Sequence, residues 1–331
     1  MSEATPQYRS TETFWTPPSH SYPDRTLMRS QIGSRWVGMS VIAMILFAVT
    51  YIGLVRTRIG QYMENSALLG AEQLTGPEVT DALDTLKVIS VTSLLVVMGA
   101  YLVAGLLRRS WRVAVAGIAT LGLATVLAEV LKHFIPRPDL ADIYQNNAHN
   151  SFPSGHTTIA MAILISLLLV VSYRWRGLAM LLAASWATSV GAATLQARWH
   201  RLSDTIGGDL IVLFVGALVM LWLVRTHQVR PEEGRSYPLR VIFVVGMTLV
   251  GVSSLVVGTT LGVATLSNFG VLQEIASSYS TGTPAQLTAH LDPAFNENMY
   301  LAAQSLALGF STVAALWFWG TMHRVSTRPG A

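Results

Sequence analysis

Residues 241–264 read VIFVVGMTLVGVSSLVVGTTLGVA, a run that contains no charged side chain. An α-helix rises about 1.5 Å per residue, so about 20 apolar residues are needed to cross about 30 Å of hydrocarbon. The run also lacks the strict alternation of apolar and polar residues that is typical of a barrel strand. It therefore predicts a transmembrane helix.

Seven other stretches of the chain share this pattern, and composition agrees with them. Hydrophobic residues make up 51% of the chain and charged residues only 12%, whereas soluble domains carry about 25% charge. Because backbone groups in hydrocarbon must be paired within the segment itself, these runs predict helices. The predicted fold is an all-α membrane protein with about eight transmembrane helices, at 36–55, 87–107, 112–135, 155–173, 177–197, 204–224, 241–264 and 299–320.

Basic residues predict the orientation of these helices. With both termini in the cytoplasm, fifteen of the 22 Lys and Arg residues fall in cytoplasmic segments, which is the distribution expected of short loops. We therefore expect an N-in, C-in topology. The predicted organisation is a poorly ordered cytoplasmic tail at 1–35, a six-helix core at 36–225 and a two-helix C-terminal extension at 226–331, with an outside loop at 265–298.

Composition also excludes several classes of function. The net charge is +4, but the basic residues form no run or stripe, so we expect no nucleic acid partner. The chain has no cysteine, which excludes disulfides, thiolate catalysis and Cys-ligated zinc. Arginine outnumbers lysine by twenty to two, a bias that indicates a GC-rich bacterial genome. The expected location is therefore a bacterial inner membrane, and we expect no protein-bound cofactor.

Two loops predicted to lie outside the membrane carry Lys and Arg residues, although such residues are usually more frequent in cytoplasmic loops. The first follows the third predicted helix and carries Lys132 and Arg137, and arginine suits bidentate contact with phosphate oxygens. It leads into Pro153-Ser154-Gly155-His156 at the start of the fourth helix. A helix N-terminus offers free N–H groups and the positive end of its dipole. These loops therefore predict an anion site.

The second loop, which opens the sixth helix, supplies a histidine and a carboxylate. His200 and Asp204 are four residues apart, so the carboxylate can reach the imidazole across one helical turn. A carboxylate on one ring nitrogen fixes the tautomer and leaves the other nitrogen free as a nucleophile or base. With His156 as a proton donor, the set predicts phosphoryl transfer without a metal ion.

These segments resemble the three motifs of the type 2 phosphatidic acid phosphatase family. The motifs are Lys…Arg-Pro, Pro-Ser-Gly-His and His-x-x-x-Asp preceded by an arginine, and here they occur in the same order over residues 132–204. The resemblance implies that His200 is a nucleophile that forms a phosphohistidine, oriented by Asp204, while His156 protonates the leaving lipid oxygen. It also implies a set of groups that hold the phosphate oxygens, namely Lys132, Arg137, Ser154 and Gly155.

Two departures from the family pattern affect the cations. Only four residues separate Lys132 from Arg137, where the family usually has six. Thr194 stands where the third motif usually has its arginine, so we expect Arg198 or Arg201 to supply that guanidinium instead.

The predicted function is hydrolysis of a lipid phosphate or diphosphate at the extracytoplasmic face, of the polyprenyl diphosphate, phosphatidate or phosphatidylglycerophosphate class. The alternatives are a phosphotransferase that passes the phosphoryl group to a lipid or sugar alcohol, a proton-coupled transporter, and a metallohydrolase. Individual residues also have simpler interpretations. Ser154 suits a helix cap, Lys132 suits a helix end that snorkels, and Glu129 is expected to pair with Lys132 or with a neighbouring helix.

Overall fold

The computed structural model describes residues 25–141, 143, 150–231, 238–282, 285–323 and 325–327. Of the described structure 81% is helical, which confirms the predicted all-α class. The helices are α1 (Arg25–Thr50), continued by a π-helical turn (Tyr51–Val55), α2 (Arg58–Ala71), α3 (Gly76–Lys87), α4 (Val91–Leu107), α5 (Trp111–Phe134), α6 (Gly155–Val170), α7 (Arg176–Gln196), α8 (Leu202–Arg225), α9 (Pro238–Asn268), α10 (Val271–Thr281) and α11 (Pro293–Thr321). Two short strands, β1 (Val229–Pro231) and β2 (Val325–Thr327), pair antiparallel.

The number of membrane spans is smaller than the eight that the hydropathy pattern predicted. In the described part of the chain, α1 with its π-helical turn and α5, α7, α8, α9 and α11 are long and apolar enough to cross a bilayer. The consecutive helices α3 and α4, bent by 45°, would together make a seventh span. The fourth predicted span, 155–173, is the 16-residue α6, which at 1.5 Å per residue is about 24 Å long.

The ends of two predicted segments also differ from the structure. Helix α1 begins at Arg25, so residues 25–35 of the predicted tail are helical, and residues 1–24 lie outside the described residues. The outside loop predicted at 265–298 contains α10 and a 3-10 turn at Ala289–Leu291. Gly270, with φ of +69°, allows the chain to reverse between α9 and α10.

Helix α8 lies at the centre of the bundle. Helices α1, α5, α6 and α11 all pack against it, and most of its side chains are buried. Gly216 permits one of these contacts, because a Cβ atom there would lie 2.9 Å from the ring of Phe318. Since α8 is enclosed on several sides, its N-terminal turn is held in a defined place at one end of the bundle.

The C-terminal extension is part of this bundle rather than an appendage. Helix α11 packs on α9 and also on α2, α7 and α8. Within this contact the Ser311 hydroxyl donates a hydrogen bond of 2.6 Å to Asp209 of α8. At the start of α11, Gly70 of α2 lies so close to the backbone of Asn296 that a Cβ atom would overlap its carbonyl group. The extension therefore supports α2, which carries polar residues described below.

The end of the bundle opposite the motif residues is closed by the small sheet. Strand β1 follows α8 and pairs with β2 after α11, with Val229 opposite Thr327. The Thr327 hydroxyl donates 2.7 Å to the Leu169 carbonyl, and Nη1 of Arg176 donates 2.6 Å to the Val325 carbonyl. These bonds join the ends of α6, α7, α8 and α11.

Candidate active site

The three motifs meet at the end of the bundle where α5 ends and where α6 and α8 begin. A backbone hydrogen bond joins the second motif to the third, because the Ser154 N–H donates to the Asp204 carbonyl at 2.9 Å. Gly208 makes this approach possible, since a Cβ atom there would lie 3.0 Å from the Ser154 carbonyl oxygen. The second and third motifs are therefore adjacent although α7 separates them in the chain.

The two motif histidines face the same small space. The ring centroids of His156 and His200 are 6.4 Å apart, and their planes are inclined by 56°. The ring of Trp199 lies 5.2 Å from that of His156 and forms one side of the space. His156 is half-buried and His200 is buried. An attacking atom needs to lie about 3–3.5 Å from its target, and a proton donor about 2.6–3.2 Å from its acceptor. Two rings at this separation can flank one phosphoryl group.

Asp204 is the orienting carboxylate for His200. Its Oδ2 atom lies 3.3 Å from Nδ1 of His200, which leaves Nε2 as the nitrogen without this partner. Asp204 is fully buried, and its oxygens also accept hydrogen bonds from the Ser151 hydroxyl at 2.6 Å and the Arg201 N–H at 2.9 Å. A buried carboxylate with several donors is stabilised as the anion, so it favours the tautomer in which Nδ1 carries the proton.

Arg137 takes a position that differs from its expected place beside the phosphate. Its Nη1 atom is 3.0 Å from Oδ1 of Asp204 and its Nη2 atom is 2.7 Å from Oε2 of Glu64. Only 6% of the Arg137 side chain is exposed. Burial disfavours its charge, but the Asp204 and Glu64 carboxylates outweigh burial and raise the pKa of Arg137. Both Nη atoms therefore face carboxylates, and the guanidinium reaches His200 only through Asp204.

Three polar residues of this site were not predicted. Glu64 and Asn65 lie on α2, and Ser151 lies just before the second motif. Asn65 Oδ1 accepts a hydrogen bond of 2.9 Å from Nε of Arg201. Burial raises the pKa of Glu64, and the neighbouring Arg137 guanidinium opposes that shift. One feature of the sequence could have indicated α2. Glu64 and Asn65 are polar, and they begin the run ENSALLGA at 64–71, whose remaining residues are small or apolar.

Lys132 is a predicted phosphate-binding cation that lies beside the start of α6. Its Nζ atom would be 3.7 Å from a Cβ atom placed on Gly155. Nζ also binds Oε1 of Glu129 at 2.8 Å, which confirms the expected pairing, and 59% of the Glu129 side chain is exposed. The first turn of α6 and this cation together provide the kind of environment in which helix N-termini bind anions.

Ser154 is placed as a helix cap. It is fully buried, and its Oγ atom accepts hydrogen bonds from the Thr157 N–H at 3.3 Å and from the Thr157 hydroxyl at 3.1 Å. These are the bonds of an N-cap serine, which satisfies a donor that the first helical turn leaves unpaired. Its predicted contact with phosphate oxygens would require the hydroxyl to leave this buried position.

Of the two arginines expected to supply the third-motif guanidinium, Arg201 is buried and Arg198 is partly exposed. Thr194 is fully buried and its hydroxyl donates 2.7 Å to the Gly191 carbonyl, so this position has no space for an arginine. Arg198 sits in the turn after α7 with φ of 59°, and 38% of its side chain is exposed, 3.9 Å from Glu72. Arg201 is buried, and its Nη1 donates 3.2 Å to the Ser151 hydroxyl. Arg198 therefore lies at the rim of the site, and its contact with phosphate stays a prediction.

Within the described ranges, no group of three or more His, Cys, Asp or Glu residues is arranged to hold a metal ion. The chain also has no cysteine. The chemistry that these residues can perform is therefore nucleophilic attack by an imidazole, proton transfer by a second imidazole and stabilisation of an anion by a lysine and a helix N-terminus.

Comparison with known proteins gives one match. Residues 113–231 match the family model described as the PAP2 superfamily, whose members are phosphatases. This segment begins within α5 and ends at β1, so it contains all three motifs. Comparison with curated proteins and with solved structures gave no match. The resemblance inferred from the motifs is therefore confirmed, and residues 113–231 of this membrane protein are similar to the PAP2 superfamily.

Proposed function

We propose that the protein hydrolyses a lipid phosphate or diphosphate through a phosphohistidine intermediate on His200. The observation that carries this proposal is the pair of imidazoles, His156 and His200, with centroids 6.4 Å apart and with Asp204 on Nδ1 of His200. Candidate substrates are polyprenyl diphosphates, phosphatidate and phosphatidylglycerophosphate, because each joins an anionic head to a chain that hydrocarbon can hold.

In the first step, the lone pair on Nε2 of His200 attacks phosphorus, and the bond between phosphorus and the leaving oxygen breaks. His156 donates its proton to that oxygen, which leaves as the lipid alcohol or, from a diphosphate, as the lipid monophosphate. Phosphorylation makes the His200 ring cationic, and the Asp204 carboxylate on Nδ1 stabilises it. In the second step His156 accepts a proton from water, whose oxygen attacks phosphorus and releases inorganic phosphate with neutral His200.

Charge on the transferring group is met by Lys132 and by the first turn of α6. Lys132 is held by the largely exposed Glu129, and exposed ion pairs contribute only about 0–1 kcal/mol. A phosphate dianion can therefore compete with Glu129 for the ammonium group. The N–H groups at the start of α6 add further donors once phosphate has displaced the Glu129 carboxylate, whose Oε1 atom lies 3.1 Å from the Cβ position of Gly155.

A lipid substrate fits the surroundings of these residues. Helices α4 and α5 expose apolar side chains along their lengths, among them Leu102, Leu106, Leu123, Val126 and Phe134. In a bilayer these faces contact hydrocarbon, so an apolar chain can lie beside α5 while its head group reaches Lys132 at the end of the same helix. The distribution of basic residues supports an outward-facing site on the cell membrane.

The test is phosphate release by purified protein in detergent from a panel of the three lipid phosphates. His200→Gln should abolish release and should abolish labelling of the protein by substrate carrying labelled phosphorus. His133→Gln is the matched control, because His133 is exposed and lies at the end of α5 near the same face. Phosphate release retained in His200→Gln would refute the proposal, and label recovered in an alcohol acceptor rather than in inorganic phosphate would indicate transfer instead of hydrolysis.

A further inference from the structure

A buried carboxylate outside the family-matched segment takes part in the candidate site. Glu64 lies in the middle of α2, and only 4% of the residue is exposed. Its Oε2 atom binds Nη2 of Arg137 at 2.7 Å and accepts from the Ser203 hydroxyl at 3.1 Å. Its Oε1 atom accepts from the Ser203 N–H at 2.6 Å. A buried charge with this many partners is fixed in position.

These contacts form a continuous series that ends at the proposed nucleophile. Glu64 binds Arg137, Arg137 binds Asp204, and Asp204 binds Nδ1 of His200. The guanidinium group is planar and rigid, so fixing one Nη atom also fixes the direction of the other. Glu64 holds the first turn of α8 as well, through Ser203, and Asp204 is the next residue on that turn. Glu64 thus restrains Asp204 in two ways, through Arg137 and through Ser203.

The formal charges of the series suit a ring that becomes positive. The Glu64 and Asp204 carboxylates and the Arg137 guanidinium carry a formal charge of −1, and the buried guanidinium of Arg201, which attracts both carboxylates, brings the cluster to neutrality. Without Glu64 the cluster would carry a formal charge of +1, and Asp204 would then stabilise a cationic ring less strongly. Glu64 therefore offsets one of the two guanidinium charges near the ring that becomes cationic when Nε2 is phosphorylated.

We propose that Glu64 is a positioning residue of the phosphatase reaction, which through Arg137 holds Asp204 and His200 in place and makes Arg137 an orienting group rather than a phosphate ligand. This inference rests on the proposed function. It assigns a role in the reaction to α2, which precedes the segment 113–231 that matches the superfamily. It also gives a role to α11 and to the 3-10 turn before it, because the contact between Gly70 and Asn296 and the 2.9 Å bond from the His290 N–H to the Tyr62 hydroxyl brace α2.

The experiment compares kcat and KM of Glu64→Gln with those of Glu297→Gln in the full-length protein. Glutamine keeps an oxygen that can accept from Ser203 but removes the charge that holds Arg137. We expect kcat of Glu64→Gln to fall on the order of tenfold to a hundredfold, because a small misplacement of reacting groups lowers the rate by that much. KM should change by less than about threefold, since the contacts that bind the substrate equally in the ground state and the transition state are unchanged. Glu297 is exposed at the same end of the bundle, so Glu297→Gln should match the wild type.

A double-mutant comparison separates action through Arg137 from a general loss of structure. If Glu64 acts through Arg137, adding Glu64→Gln to Arg137→Met should lower kcat by less than about twofold, because coupled residues are not additive. Full additivity would overturn the inference. Glu64→Asp, which keeps the charge on a shorter chain, should have a kcat between those of Glu64→Gln and the wild type, and it provides the same comparison if the glutamine variant does not fold.

The two proposals fail in distinguishable ways. A wild-type protein that releases no phosphate from any substrate of the panel overturns the proposed function and the inference with it. An active wild type whose Glu64→Gln variant has the kcat of Glu297→Gln overturns only the inference. A rise in KM of Glu64→Gln with kcat unchanged also overturns it, because that result would place Arg137 on the phosphate.

Discussion

The imidazole of His156 lies 6.4 Å from that of His200, although α7 separates the two in the chain. The distance follows from the packing of α6 on α8 and from the bond between the Ser154 N–H and the Asp204 carbonyl. Only His200 of the pair has a carboxylate on its Nδ1 atom within the described site. This asymmetry supports the proposal that His200 is the nucleophile and that His156 transfers the proton, and further expectations follow from the structure.

Replacing His156 with Gln should lower kcat in a way that depends on the leaving group. A general acid typically contributes about 10²–10⁴-fold, and less where the leaving oxygen is already a weak base. We expect a loss in that range with a lipid monophosphate, whose leaving group is an alkoxide. With p-nitrophenyl phosphate the loss should be much smaller. Equal losses with both substrates in steady-state assays would contradict the role of His156 as an acid.

Replacing Ser154 with Ala should affect stability more than substrate binding. The hydroxyl caps α6 and is fully buried, and loss of an N-cap typically costs about 1 kcal/mol. We expect a lower unfolding temperature in detergent and a KM within about twofold of the wild type, since a group that does not touch substrate leaves binding unchanged. A KM raised more than about tenfold with unchanged stability would instead support the phosphate contact that the motif implies.

Introducing the family's usual arginine, by Thr194→Arg, should destabilise the protein instead of improving catalysis. Thr194 has no exposed surface, and burying an unpaired charge is among the changes that cost more than about 4 kcal/mol. We expect poor folding and little activity, measured by thermal unfolding and phosphate release. Thr80→Arg is the control, because Thr80 is exposed on α3. A stable Thr194→Arg variant with higher activity would show that the site has room for that guanidinium.

Substituting Gly70 should separate α2 from α11 and disturb the site indirectly. A Cβ atom at this position would overlap the backbone of Asn296, so α2 would have to move. We expect Gly70→Ala to lower both the unfolding temperature and kcat, because Glu64 lies on the same helix. Gly76→Ala is the matched control, since a Cβ atom there meets no atom within 4 Å. If Gly70→Ala behaves as Gly76→Ala does, α11 does not brace α2.

Much of the fold was predictable because hydrophobicity and length are local properties. The long runs at 112–135 and 241–264 correspond to α5 and α9. Where the eight predicted spans differ from the six or seven helices of the described chain that are long and apolar enough to cross a bilayer, the bounds of short helices are the reason. Helix α6 ends at Val170 and the next begins only at Arg176, while residues 87–107 hold the end of α3, a break and α4. Average hydropathy does not resolve such ends.

The order of residues was sufficient to predict a site with two histidines, their carboxylate and the lysine, because each lies within a short motif whose chemistry follows from spacing. It was also sufficient for the membrane class, since burying backbone in hydrocarbon demands long apolar helices. Only tertiary packing decided where the side chains of the predicted cations lie within the site. Arg137 pairs with Glu64, 73 residues away in the chain, because buried carboxylates stabilise a buried guanidinium group, and no local sequence pattern predicts that contact.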